Sequence, residues 1–180
     1  MLNKYIALLR GINVSGQKNI KMTELKLLFE HLGFEKVETY IQSGNVVFAA
    51  SEIDSTTIEN KISSGIKKEF GFDVQIMVIN DGEIKRTIKN NPFIKSKKDI
   101  DKLYVTFLSD VPFEENIKKL KSVDYNPEEY FIDGKKIYLY VPSGYGKAKL
   151  NNNFFENKLK ASGSTRNWKT IIKLNEMINE

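Results

Sequence analysis

Lys36-Val37-Glu38-Thr39-Tyr40-Ile41-Gln42 and Asn45-Val46-Val47-Phe48-Ala49 are two short runs joined by Ser43-Gly44. Both are rich in β-branched and aromatic residues, and Ser-Gly suits a tight reversal, so they read as a β-hairpin. Upstream, Lys4 to Arg10 (KYIALLR) is an apolar run closed by a charge, the pattern of a buried strand. Between them Met22, Leu25, Leu28, Phe29 and Leu32 recur at three- and four-residue steps. That spacing predicts a helix over 22–32, with Gly33 ending it. Downstream, Thr56 and Glu59 have capping-box spacing, and Ile58, Ile62, Ile66 and Phe70 stripe the helix that follows. Gly71 closes it, and Phe72 to Ile79 reads as a strand. The order is βαββαβ, the ferredoxin-like arrangement.

The second half begins the same series. Asp81 is placed to cap a short helix that stops before Pro92, and Lys102 to Leu108 reads as a strand. Pro112 suits the first turn of a helix with Phe113, Ile117 and Leu120 on one face. Glu129–Ile132 and Lys136–Val141 flank Asp133-Gly134, a type I′ hairpin signal. A helix follows from about Asn153 to Lys160. In the last position, where the first half has a strand, the pattern predicts another helix, Arg166 to Ile178. The expectation is an α+β chain of two ferredoxin-like (βαββαβ-type) subdomains packed together, residues 1–80 and 81–180, the second ending in helices. The polar stretch from Asn90 to Asp101 is the expected surface connection.

The absence of cysteine excludes disulfides, thiolate metal sites and a Cys nucleophile. With His31 the single imidazole, a multi-His metal site is excluded, and no metal or other cofactor is expected. No apolar run approaches the roughly 20 residues that span a bilayer. Met1-Leu2-Asn3-Lys4 runs straight into the first strand, too abruptly for a secretory signal, so a cytoplasmic protein with no membrane partner is expected. The net charge of +5 lies wholly in residues 81–180, since residues 1–80 hold nine cations and nine carboxylates. A basic half is compatible with an anionic partner, nucleic acid included. Lysine-rich surface solvation is the plain alternative.

In a ferredoxin-like sheet of order 4-1-3-2, the first and second strands run parallel because a helix crosses between them. The chain leaving each then reaches the same edge. That topology predicts that Arg10-Gly11-Ile12-Asn13 and Gln42-Ser43-Gly44-Asn45 meet at one rim. Arg10 has the fixed charge and planar donor fork that suit carboxylate or phosphate; a structural ion pair would suit it as well. Asn13, Gln42, Ser43 and Asn45 have donors and acceptors to orient a polar ligand, and their types also serve ordinary turns.

Other motifs point less directly to chemistry. Gly11-x-x-x-x-Gly16 with Lys18 mimics a phosphate loop, but Gln17 precedes the lysine and no Ser/Thr follows it. Pro142-Ser143-Gly144-Tyr145-Gly146-Lys147-Ala148-Lys149 is a Gly-rich basic loop leading into a helix, a candidate anion site or a plain surface loop. Ser164 or Thr165 is expected to cap the last helix, placing Arg166 and Asn167 in its first turn. A cation there is unfavourable to the helix dipole unless it has a partner, which makes both residues ligand candidates. Trp168 with Ile171, Ile172 and Leu174 reads as core. His31, in the last turn of the first helix, suits the helix dipole. No carboxylate pair reads as an acid/base couple, and no catalytic residue is assigned.

The same residues carry a resemblance. Ala7-Leu8-Leu9-Arg10-Gly11-Ile12-Asn13-Val14, Met22-Thr23-Glu24-Leu25, Leu32-Gly33-Phe34 and Thr39-Tyr40-Ile41-Gln42-Ser43-Gly44-Asn45-Val46-Val47-Phe48 resemble the bacterial domain-of-unknown-function family numbered 1697. Asn91-Pro92-Phe93, Tyr138-Leu139-Tyr140-Val141-Pro142 and Thr165-Arg166-Asn167-Trp168 fit it too. Ser15 stands where the family commonly has a second glycine, and Lys169 where it has Asn. The resemblance implies ferredoxin-like halves and no assigned activity.

The functional expectation is a binding module for a small anionic or nucleotide-like ligand at the rim of Arg10, Asn13, Gln42, Ser43 and Asn45, with Arg166 and Asn167 contributing if the last helix folds back over the first sheet. The alternatives are single-stranded RNA binding, an enzyme acting through Arg and amide electrostatics, and a protein-interaction module.

Overall fold

Five consecutive buried residues, Tyr5 to Leu9, make β1 (Asn3–Leu9) a strand covered on both sides, which needs no polar alternation. The computed structural model describes residues 2–52 and 54–180; Met1, where the stretch read against a secretory signal begins, lies outside them. Next come α1 (Met22–His31), β2 (Glu35–Tyr40), β3 (Asn45–Ala50), α2 (Ser55–Phe70) and β4 (Ile76–Asn80). The sheet order is β2-β3-β1-β4, with β1 antiparallel to both neighbours. Tyr5, Ala7 and Leu9 of β1 share a core with Leu25 and Phe29 of α1 and Ile58, Ile62 and Ile66 of α2. Each helix thus docks the stripe its spacing marks. Gly33 ends α1 at φ 83°, and Gly71 ends α2 at φ 82°, in the left-handed region glycine favours.

The second series is α3 (Asp81–Asn90), α4 (Pro92–Lys95), β5 (Leu103–Leu108), α5 (Glu114–Lys121), β6 (Glu129–Asp133), β7 (Lys136–Tyr140), α6 (Asn152–Leu159), β8 (Gly163–Asn167) and α7 (Trp168–Asn179). Its sheet order is β6-β7-β5-β8, the same plan as the first. The second half therefore does not replace its last strand with a helix. Residues 163–167 (GSTRN) pair with β5, Thr165 opposite Thr106 and Arg166 opposite Val105, before α7 begins. The strand was illegible because it lies at a sheet edge and is polar: Ser and Thr there imitate a helix cap. Two compact units emerge, Met1–Arg86 with Lys173–Glu180, and Thr87–Ile172.

Four local readings shift. The cap of α2 is Asp54, whose Oδ2 accepts from Thr57 N (2.8 Å), and Glu59 instead accepts from Val78 N (2.8 Å). The cap of α3 is Asn80, in a reciprocal box with Glu83 (2.9 Å each way), one residue before Asp81. Phe113 is the N-cap position of α5 and is exposed, and Pro112 precedes it, outside the helix. The β6–β7 turn centres on Gly134-Lys135, since Asp133 still pairs with Lys136. Positive φ falls on Gly134 (58°) and not on Lys135, the type II′ pattern.

Candidate functional site

β1 and β2 do deliver their following turns to one rim. The β1–β3 ladder pairs Leu8 with Asn45 and runs one step further, Leu9 N donating to Gly44 O at 2.8 Å. On the other side Arg10 N donates to Gln75 O at 3.0 Å. Asn13 then closes the contact: its Nδ2 donates to Gln42 O and to Ile20 O, both at 2.9 Å, and its Oδ1 accepts from Ile20 N at 2.8 Å. Gly44 is required here. A Cβ on it would lie 2.8 Å from both Leu9 Cβ and Ile12 Cδ1, and its φ is 83°.

The candidate residues divide by what their polar atoms already do. Both amide hydrogens of Asn13 are committed to carbonyls. Both of Asn45, which is fully buried, go to Tyr40 O (3.0 Å) and Ser43 Oγ (3.1 Å). These two residues hold the rim in shape. Gln42 and Ser43 sit on the exposed side of the turn. Arg10 is half-buried and lines a shallow depression of about 560 Å³ with Gly11, Lys18, Asp73, Val74 and Gln75. Lys18 Nζ donates to Asp73 O (2.6 Å), and the Asp73 carboxylate pairs with Lys67 (2.7 Å). Nothing in the sequence marks Lys18 as a neighbour of Arg10, because the phosphate-loop pattern around it is broken and the two residues are eight positions apart. The segment is indeed no phosphate loop. Val14 bridges Gln17, whose N–H returns to Val14 O (3.0 Å), and α1 starts only at Met22.

Arg166 and Asn167 do not occupy a helix first turn. Arg166 lies on β8, nearly inaccessible, with Nη1 donating to Ser164 Oγ and Thr165 O, both at 2.9 Å. Burial lowers its pKa to about 10, so the guanidinium is charged at neutral pH. Asn167 is itself the cap of α7, its Oδ1 accepting from Thr170 N at 2.8 Å. Ser164 and Thr165, committed to the β5 ladder, cannot serve as caps. Both residues belong to the Thr87–Ile172 unit.

The Gly-rich basic loop is already occupied by an internal anion. Buried Glu128 accepts from Lys149 N (2.9 Å) on Oε1 and Leu150 N (2.8 Å) on Oε2. Asn151 Oδ1 caps Phe154 N, and Tyr145 Oη accepts from Asn152 N. The amides that would greet a ligand are thus satisfied from within the chain. His31 is exposed at the end of α1.

In the first sheet Ile6, Leu8, Val47, Met77 and Ile79 alternate with the residues facing α1 and α2, and they are buried too. The central strands offer no open face for stacking bases. Among the described residues no helix is long and apolar enough to cross a membrane.

Comparison with known proteins agrees with this fold. A solved structure of a conserved bacterial protein from Streptococcus pneumoniae superposes with a TM-score of 0.79 at 23% identity, covering 99% of each chain. No curated protein matches the chain. A family model matches residues 2–138, three quarters of the length. The chain therefore belongs to the family described as protein of unknown function DUF1697.

Proposed function

We propose that the protein is a binding module of the bacterial cytoplasm for a small anionic or nucleotide-like ligand. The ligand sits at the rim formed by the turns after β1 and β2. The observation that carries this reading is the depression in which Arg10 and Lys18 stand together. Its one carboxylate, Asp73, is offset by Lys67, so the lining is net cationic. Arg10 pairs with the anion; Gln42 and Ser43, exposed on the neighbouring turn and outside the lining of the depression, are assigned to a part of the ligand that extends beyond it. Asn13 and Asn45 act by holding those turns in place. Arg166 and Asn167 enter only as the groups that fix β8 and the start of α7. A cysteine-free chain suits a reducing compartment. The RNA reading is less favoured, because stacking needs exposed aromatics and Phe48 on β3 is buried.

A thermal-shift screen with nucleotides, sugar phosphates and carboxylates tests this, run on wild type and Arg10→Ala. The expected result is a shift for wild type that Arg10→Ala loses. Equal shifts in both, or none in either, reject the reading.

A further inference from the structure

We infer that the ligand of this rim is a phosphomonoester, a conclusion that rests on the anion-binding reading above. Arg10 and Lys18 differ in what they offer. The Arg fork matches two oxygens of a planar carboxylate on its own. A second, separate cation is superfluous for such a ligand. A phosphomonoester has three terminal oxygens and close to two negative charges at neutral pH. It can engage the Arg fork and a point charge together.

Lys18 is built to be that point charge. Its backbone sits at φ 48°, its carbonyl accepts from Asn13 N (3.2 Å), and its Nζ donates to Asp73 O (2.6 Å). Among the described residues the ammonium makes this one hydrogen bond, which leaves two of its three protons for a ligand. The head is thereby held at the depression instead of sweeping through solvent. Gly11 lines the same depression, and a Cβ on it would meet nothing within 4 Å, so its backbone is open to an approaching oxygen. Single exposed ion pairs are weak, so an anion that engages both cations at once gains most. At about 560 Å³ the depression exceeds what a bare phosphate needs and is in the range of pockets that hold small organic molecules. The organic part of an ester accounts for the remainder.

Calorimetric titration of the full chain separates the possibilities. The probes are glucose 6-phosphate and AMP, their dephosphorylated counterparts glucose and adenosine, and succinate. The phosphomonoesters should bind and the neutral compounds should not. Lys18→Gln, which keeps a donor but loses the charge, should weaken phosphomonoester binding on the order of tenfold. Lys18→Arg should retain it, and urea midpoints should show both variants folded. If succinate binds as tightly as the phosphomonoesters, or Lys18→Gln costs nothing, the phosphomonoester assignment is wrong while the broader anion reading stands. If no anion binds, both are wrong.

Discussion

Asn13 Nδ2 donates to the Gln42 carbonyl at 2.9 Å, so one side chain ties the segment leaving β1 to the turn between β2 and β3. The same amide also reaches Ile20 O, which closes the loop before α1. Asn13 holds φ 55°, a conformation Asn tolerates better than most residues. Asn13→Asp keeps the shape and the acceptor and removes both donors. It should cost about 1–3 kcal/mol in urea unfolding and weaken any ligand seen in the screen.

Gly44 and Gly11 make a matched pair. Both have positive φ, but a Cβ at Gly44 strikes Leu9 and Ile12, whereas one at Gly11 enters open space. Gly11→Ala should cost about 1 kcal/mol for the backbone alone. Gly44→Ala should cost roughly 2–4 kcal/mol, because the clash adds to that. Equal losses by denaturation would contradict the packing described here.

Removing Glu128 leaves two amides, the part-buried one of Lys149 and the buried one of Leu150, without their acceptor. Glu128→Ala should destabilise by about 2–4 kcal/mol and raise hydrogen exchange in residues 145–151. Glu128→Gln retains one carbonyl acceptor and should fall between it and wild type.

Asp54 titrates low because Thr57 donates to it from both Oγ1 (2.6 Å) and N (2.8 Å). A carboxylate whose folded pKa is depressed adds stability that is present above its unfolded pKa and is lost as pH falls through the folded one. Asp54→Asn should therefore be less stable than wild type at pH 7, by a few degrees of melting temperature. The gap should begin to narrow as pH falls below the ordinary carboxylate value of about 4 and close only below the depressed folded pKa. A gap that persists in acid would show that the charge is not what matters at this cap.

The sequence made the first unit legible because its patterns are unmixed. Leu25, Leu28 and Phe29 mark one helix face, Ile58, Ile62 and Ile66 another, and both faces are buried. The meeting of the two turns followed from topology alone. What stayed hidden was polar structure that local chemistry can satisfy in two ways. Ser164 and Thr165 suit a cap or an edge strand, and the choice is made by β5, some sixty residues upstream. Asn13 and Asn45 suit a ligand or a turn, and only the positions of the carbonyls of Ile20, Gln42 and Tyr40 reveal where their hydrogens go. Lys18 became visible as a neighbour of Arg10 only once the chain before β4 was in place.

The ends of β1 and β5 are wired alike: Leu9 and Arg10 donate to Gly44 and Gln75, and Leu108 and Ser109 donate to Lys135 and Ser162. In the later copy Lys135 Nζ also reaches back to Ser109 O at 2.9 Å, a fastening between side chain and backbone where the earlier copy has a bare glycine. A plan used twice in one polypeptide has a spare. One copy can be locked for mechanical support, and the other is released to change its chemistry without endangering the architecture both share.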